Sequence, residues 1–363
     1  MTLHRSVFTG VPAVLAALTL AACGSSSSSS TVSASGTGKA TTSSAAASSG
    51  SGKPTLLVYS AQGYDKNTVT AFQSTTGIPT KLVDDSTGPL LARIQAERAN
   101  PQWGLLWVDG NEALASLDKQ GLLAKQLKVP PLTGTGKSLV PADKSFVPTA
   151  ATMACTLVYD SHAIKAPPST WDALLTSQYK GKVGMNDPAV SGPTYPCVAG
   201  LMSMFGGVSQ GESFLSKLKA NGLHVSQTNG DTLHLLQTGQ IQAGLIQSSA
   251  AVGAAKKTPG LKVAYLPKLT LLPSVIGVDA KAPAAERQEA QRFIDFVLSP
   301  AGQKQMQSGD PTGDSLYWPV VASTKPLAGL PPLSTISSQS IDPYTWGPRE
   351  PAINNWFTSK IVP

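Results

Sequence analysis

Cysteine is scarce in this chain: Cys23, Cys155 and Cys197 are the only three, and no two of them form a Cys-x-x-Cys pair. With four histidines and no His-x-x-x-His spacing, the sequence carries no zinc-site signature and calls for no metal and no cofactor. Ser191, Asp231 and either His224 or His234 supply the residue types of a serine triad, but no Gly-x-Ser-x-Gly elbow is read in the sequence, so catalysis is not expected. Both histidines are expected on helix or loop surfaces. No block of Lys and Arg is interleaved with aromatics, so the formal charge of +7 reads as dispersed, which argues against a nucleic-acid partner. After residue 22 no stretch reaches eighteen uninterrupted apolar residues, so no later segment is expected to span a membrane as a helix.

What is present begins with a leader. His4 and Arg5 precede the apolar run VPAVLAALTLAA (11–22), which is too short for a mature membrane span. The run ends in Leu20-Ala21-Ala22-Cys23, which resembles a bacterial lipobox; that implies cleavage before Cys23 and lipid on its sulfur. An ordinary small-residue cleavage site beside a cysteine is the alternative. Residues 24–53 hold nothing apolar larger than Val32 and almost no charge, so they are expected to form a flexible linker. Such a linker has an r.m.s. reach of roughly 30 Å. Residues 1–22 thus read as a signal peptide and 23–53 as a stalk, placing the protein outside the cytoplasm as a membrane-anchored lipoprotein. Removing Arg5 leaves a mature charge near +6, which favours anionic ligands or membrane surfaces. The two remaining cysteines are an even pair in an exported chain. They are either bridged or separately buried thiols, and sequence alone cannot place their Cα atoms.

The remaining 310 or so residues suit two domains. Strand and helix patterns alternate: TLLVYSA (55–61), DKNTVTAFQSTTG (65–77), IPTKLVDDS (78–86), GPLLARIQAERAN (88–100) and WGLLWVDG (103–110). This alternation predicts an α/β fold with parallel sheets. Further on, ACTLVYDSHAI (154–164), VGMND (183–187), IQAGLIQS (241–248) and LLPSVIGVDA (271–280) read as strands. STWDALLTSQYKGK (169–182), SQGESFLSKLKANG (209–222) and DTLHLLQTGQ (231–240) read as helices, the second opening on a Ser209–Glu212 capping box. Residues 283–308 read as two helices split at Ser299-Pro300. The proline-rich tail with Trp318, Trp346 and Trp356 is expected to wrap the body.

Five stretches in this order and spacing resemble family 1 extracellular solute-binding proteins, the binding components of ABC importers. They are YSAQG, DDSTGPLLARIQAERANPQWGLLWVDG, NDPAVSGPTY, TGQIQAGLIQ and FIDFVLSPAGQ. The closest branch holds ferric-ion binders and relatives for aminoethylphosphonate and sugar phosphates. The resemblance runs from about residue 54 to the end. It implies a type II periplasmic-binding-protein fold: two lobes, two crossover strands and a ligand closed between them by a hinge. Lobe one would take residues 54–147 and 269–325, lobe two 148–268, and residues 326–363 the wrap. Crossovers are expected near Val147–Leu157 and Ala264–Leu272. The implied partners are a small anionic solute and an importer permease, with the protein itself a monomer.

The ferric branch holds its metal with a histidine, a carboxylate and two adjacent tyrosines. Gly63 stands at the histidine's place, Asp109 at the carboxylate's and Ser249-Ala250 at the tyrosines', which leaves a poor site for a hard cation. Tyr64 and Tyr195 are the candidate substitutes, or else cleft walls. Ferric iron is therefore the second reading. The anion half of the family pocket is matched better, by Ser191-Gly192 with Thr194 around the helix that opens near Pro193, and by the amides of Asn229 and Gln247. Free N–H groups at a helix start suit an anion, although Ser-Gly-Pro-Thr also suits a plain helix cap. Asp85-Ser86-Thr87-Gly88 offers a second capped turn from the other lobe, and Ser60 and Gln62 sit on the exit loop of the first strand. Asp109 would then meet a cationic part of the ligand, such as an amine, or be a solvated loop residue. A surface lipoprotein without a ligand is a third possibility.

Overall fold

A computed structural model of the chain describes residues 53–362, so the leader, Cys23 and the Ser/Ala/Gly-rich stretch up to residue 52 lie outside the described residues. Three strand–helix units open the body: β1 (Leu56–Ser60) with α1 (Asp65–Thr76), β2 (Thr80–Asp84) with α2 (Thr87–Ala96), and β3 (Leu105–Asp109) with α3 (Asn111–Lys119). β1 runs parallel to β2 on one side and β3 on the other. All five residues of β3 are buried, as expected for a strand covered on both faces. β2 carries Lys81 and Asp84 and forms the sheet edge. Gly77 ends α1 in the left-handed conformation, φ 65°, and donates its N–H to the Gln73 carbonyl.

After a short helix α4 (Gly134–Ser138), the chain forms β4 (Phe146–Met153) and turns at Ala154-Cys155 into β5 (Thr156–Asp160). β5 belongs to a second sheet. The second lobe adds β6 (Val183–Asn186), α5 (Thr194–Phe205), α6 (Val208–Ala220), β7 (His224–Ser226), α7 (Asn229–Gln237), β8 (Ala243–Ile246), α8 (Ser248–Lys257) and β9 (Leu261–Ala264). Its strand order is β7-β6-β8-β5-β9. The chain returns through β10 (Leu269–Val278), which lies antiparallel between β3 and β4, and continues into α9 (Ala284–Val297), α10 (Pro300–Gly309) and β11 (Trp318–Pro319). Ser299 caps α10 by accepting from the Gly302 N–H, as the Ser-Pro break predicts. The passages between sheets are thus Met153–Thr156 and Ala264–Leu269, and the strands that make them pair with each other through β4 and β10.

The tail adds β12 (Ser338–Gln339) beside the start of β10, then α11 (Pro343–Trp346) and α12 (Glu350–Lys360). Ile336, Trp346, Ile353, Phe357 and Ile361 share one buried cluster with Leu215 and Leu218 of the second lobe. On the first lobe the Tyr344 hydroxyl donates to Asp118 Oδ2 at 2.8 Å, and Lys119 Nζ donates to the Tyr344 carbonyl at 2.6 Å. The tail therefore grips both lobes.

Local expectations fail in three places, one of them His224, which is exposed on the strand β7 and not on a helix or loop. No capping box forms at Ser209–Glu212. Gly206 and Gly207, with φ of 101° and 136°, end α5 and restart the chain early, so α6 begins at Val208 and draws Ser209 into its first turn. The box forms instead at Thr228 and Asp231, ahead of α7. The string Gly207-Val-Ser-Gln-Gly211 is a literal Gly-x-Ser-x-Gly match, but it joins helix to helix and is no strand-to-helix elbow. Its second glycine lets α6 pack on α5, since a Cβ there would lie 2.6 Å from Met202 Cα. Residues 169–182 form two 3-10 turns, Asp172–Leu175 and Ser177–Tyr179, because Thr176 is extended and its hydroxyl donates back to the Ala173 carbonyl.

Cys155 and Cys197 stand with Cα atoms 5.3 Å apart, within bridging range, and their sulfurs are bonded. Cys155 occupies the turn between β4 and β5 with φ 59°, so the bridge joins an interlobe passage to α5.

Candidate functional site

The carboxyl ends of β1 and β3 in lobe one face those of β6 and β8 in lobe two, the place where open α/β sheets hold ligands. Between them lies a cavity of about 420 Å³. Lobe one lines it with Ser86, Thr87, Asp109, Asp310 and Asp314, and lobe two with Ser191, Gly192, Thr228, Asn229, Gln247 and Lys257.

The lobe-two wall is a chain of oriented amides. Asn186, buried at the end of β6, accepts from Thr232 Oγ1 at 2.6 Å and donates through Nδ2 to Asn229 Oδ1 at 2.7 Å and Ser191 Oγ at 3.2 Å. Tying up the Asn229 oxygen turns its NH2 toward Gln247 and the cavity. Gln247 is the N-cap of α8, and its Nε2 donates to Asp109 Oδ2 at 3.0 Å. The Gly192 N–H has no acceptor among the described residues. The starts of α7 and α8 bring further first-turn N–H groups to the same wall.

Two glycines let the lobes meet. Gly88 donates its N–H to the Val190 carbonyl at 3.2 Å, and a Cβ on Gly88 would lie 2.0 Å from the Ala189 carbonyl oxygen. A Cβ on Gly192 would lie 2.2 Å from Thr87 Oγ1. Side chains at either position would hold the lobes apart.

The lobe-one wall is acidic. Asp109 is buried and held by three donors: Oδ1 accepts from Gln62 Nε2 at 3.1 Å and from Ser274 Oγ, and Oδ2 accepts from Gln247. Burial raises its pKa despite those three donors. Asp314 accepts from the Gly63 N–H at 2.8 Å and from Ser249 Oγ at 3.3 Å. Burial first, and then the charge of Asp109, push its carboxyl up to about 7.

Of the residues expected at the site, Ser86, Thr87, Asp109, Ser191, Gly192, Asn229 and Gln247 line this cavity, and five do not. Ser60 is fully buried behind it and accepts from the Gln62 N–H at 3.3 Å. Gln62 is spent on Asp109. Gly88 is a lobe contact. Thr194 is buried, with its N–H given to the Ser191 carbonyl at 3.0 Å, because Pro193 is the N-cap and the helix starts one residue later than expected. Tyr195 points into the core, where its hydroxyl donates to the Trp346 carbonyl. Tyr64 is also buried, on Ser274 Oγ at 3.3 Å, so neither phenol reaches the cavity. Asp310, Asp314, Thr228, Lys257 and the positioning residue Asn186 were not expected. The first two follow α10 by a loop with no site-like motif, and only the folded chain returns them beside Gly63.

Comparison with known proteins agrees with this geometry. A family model described as bacterial extracellular solute-binding protein matches residues 67–328. A Salmonella typhimurium periplasmic protein named for binding 2-aminoethylphosphonate is 25% identical over 239 residues, 64% of this chain and 68% of the relative. The periplasmic binding protein AfuA from Actinobacillus pleuropneumoniae, solved with fructose-6-phosphate bound, superposes with a TM-score of 0.74 at 16% identity, covering 84% of this chain and 98% of that one. Iron-bound HitA from Pseudomonas aeruginosa gives a TM-score of 0.71 at 21% identity over 83% and 98% of the two chains. Two lobes, paired crossover strands and a cleft at the strand ends are the type II periplasmic-binding-protein fold, and with a family match over most of its length this chain belongs to the bacterial extracellular solute-binding proteins, a family of binding proteins and not of enzymes.

Proposed function

We propose that the protein captures a small anionic solute, bearing a phosphonate, phosphate-ester or carboxylate group, by closing its lobes and delivers it to the permease of an ABC importer. The observation that carries this reading is the convergence of Asn229, Ser191 and the unengaged Gly192 N–H on one wall, together with the starts of α7 and α8, while Gln247 on the same wall gives its N–H groups to Asp109 and Thr152. The names of the Salmonella relative and of the fructose-6-phosphate complex support the same chemistry. Lipid on Cys23 would keep the body at the membrane surface, and residues 54–147 with 269–325 and 148–268 would be the units that swing. Ferric ion is the competing cargo, in view of the likeness to iron-bound HitA. Against it, Asp109 is engaged by three side chains and the other places hold Gly63 and Ser249-Ala250.

A thermal-shift screen of organic anions tests the proposal. A solute at 100 times its Kd stabilises the folded state by about 2.7 kcal/mol. Ser191→Ala and Asn229→Ala are each expected to weaken binding about tenfold or more. Tight Fe³⁺ binding with no response to any anion would replace this reading with the ferric one.

A further inference from the structure

An amide side chain can turn either its oxygen or its NH2 toward a cavity, and on the lobe-two wall two fixed points decide which. The first lies across the cleft. Gln247 Nε2 faces Asp109 Oδ2 at 3.0 Å and Thr152 Oγ1 at 3.4 Å. An ionised carboxylate only accepts, and Thr152 gives its own proton to the Leu272 carbonyl at 3.3 Å, so both neighbours call for an N–H. Gln247 Oε1 is therefore left toward Asn229, whose Nδ2 lies 3.5 Å from it. The second fixed point lies beneath the wall. Thr232 Oγ1 stands 2.6 Å from Asn186 Oδ1, a usual length for O–H···O and short for N–H···O. Asn186 thus turns its oxygen to Thr232, and its two NH2 protons go to Asn229 Oδ1 at 2.7 Å and Ser191 Oγ at 3.2 Å.

Both ends require the same orientation of Asn229. Turned over, it would set oxygen against oxygen at Gln247 and NH2 against NH2 at Asn186. Ser191 is fixed by the same link: its oxygen accepts from Asn186, so its hydroxyl proton is left without an acceptor among the described residues. Together with the Gly192 N–H, the wall presents protons side by side. Asn186 is 1% exposed and does not line the cavity, so it acts on the solute only through its neighbours. Thr232, Asn186, Asn229 and Ser191 all belong to lobe two. This half of the clamp is therefore in place whether or not the lobes are closed, whereas the bond from Gln247 to Asp109 needs closure.

We infer that Asn186 is a positioning residue for solute capture: by engaging the oxygens of Asn229 and Ser191 it leaves their protons to the solute, and so sets the wall to take head groups that bring acceptors. This rests on the anion-capturing reading above and deepens it.

The test has a ligand-free arm and a binding arm, both on the full folded protein. In nitrogen-15 NMR, with side-chain signals assigned by their loss in Asn186→Leu and Asn229→Ala, the Asn186 NH2 protons are expected to exchange slowly with solvent and the Asn229 NH2 protons fast. In Asn186→Asp, where the new carboxylate can only accept, Asn229 is expected to turn over and its NH2 to become slow. For binding, inorganic phosphate, methylphosphonate, 2-aminoethylphosphonate, fructose 6-phosphate and succinate are titrated by calorimetry, and the tightest binder is carried forward. Asn186→Leu is expected to weaken it about tenfold in the wild-type background but about threefold or less in an Asn229→Ala background, because the effect travels through Asn229. Melting curves establish folding. Should Asn186→Leu not fold, Thr232→Val, which removes the bond that orients Asn186, must weaken binding with the same dependence on background. A fast Asn186 NH2 beside a slow Asn229 NH2 overturns the polarity. Equal weakening in both backgrounds would mean that Asn186 only supports lobe two, and no weakening that it plays no part; either overturns the inference and leaves anion capture standing. No binding by any of the five compounds overturns the anion reading and this inference together.

Discussion

Gln247 Nε2 donates to Asp109 Oδ2 at 3.0 Å, so an amide at the start of α8 in one lobe holds a carboxylate at the end of β3 in the other. Removing the amide strips a buried carboxylate oxygen of its partner, which costs about 1–3 kcal/mol of the closed arrangement. Gln247→Ala is expected to shift the ligand-free protein toward open forms, seen as a larger radius of gyration by small-angle scattering. An unchanged radius would show that this bond does not help hold the lobes together.

Gly192→Ala is expected to block full closure, because the new Cβ meets Thr87 Oγ1 at 2.2 Å. Solute affinity should fall about tenfold or more while far-ultraviolet circular dichroism stays the same. Adding Thr87→Ala to Gly192→Ala should recover part of the loss. Gly88→Ala has no such remedy, since its Cβ would meet the Ala189 backbone oxygen at 2.0 Å. Wild-type affinity in either single variant would refute the closure geometry.

Stability should rise on mild acidification. Burial pushes Asp65 up to about 6, Glu112 and Asp314 up to about 7, and Glu350 up to about 8. Each acid holds its proton in the folded state at pH values where the unfolded chain has already released it. Between about pH 4 and pH 8 the native state therefore binds more protons, and stability falls as pH rises. The melting midpoint should climb as pH is lowered from 8 toward 5. Glu112 is 1% exposed and its Oε2 has no partner, so Glu112→Gln should raise stability at pH 8 by about 1–3 kcal/mol and flatten the profile. A midpoint that falls steadily from pH 8 to 5 would contradict this.

The bond between Cys155 and Cys197 should stabilise the protein by about 2–4 kcal/mol. Intact mass of the exported protein after thiol blocking without reduction should show no alkylation at either residue. Two blocked thiols would mean that the bridge does not form in the exported protein.

Cys23→Ala should abolish metabolic lipid labelling and release the exported protein from membranes. Labelling that survives the substitution would remove Cys23 as the anchor.

The fold was legible because its signals are local. Apolar runs such as LLWVD, glycine stops such as Gly77 and the Ser299-Pro300 break each act within a few residues. The donor wall was legible in part for the same reason: Ser191, Asn229 and Gln247 sit at the starts of recognisable elements. The acid wall was not, because Asp314 comes to Gly63 across 251 positions of chain. The reading of Tyr195 failed where α5 begins. Past the N-cap Pro193 both Thr194 and Tyr195 are buried, and periodicity does not fix where a helix begins to within one residue.

The C-terminal segment carries a consequence for how the molecule is made. Lobe two's buried cluster includes Leu157 near its beginning and Ile353, Phe357 and Ile361 in the tail, some two hundred residues later. A chain threaded through a membrane amino end first cannot seal that core while residues 336–361 are still inside the channel. Lobe one waits as well, because Phe72 of α1 packs edge-on against Phe293 of α9 with ring centroids 5.0 Å apart. In a chain exported unfolded, neither half would therefore finish folding behind the other, and both cores would close only after residues 336–361 had emerged.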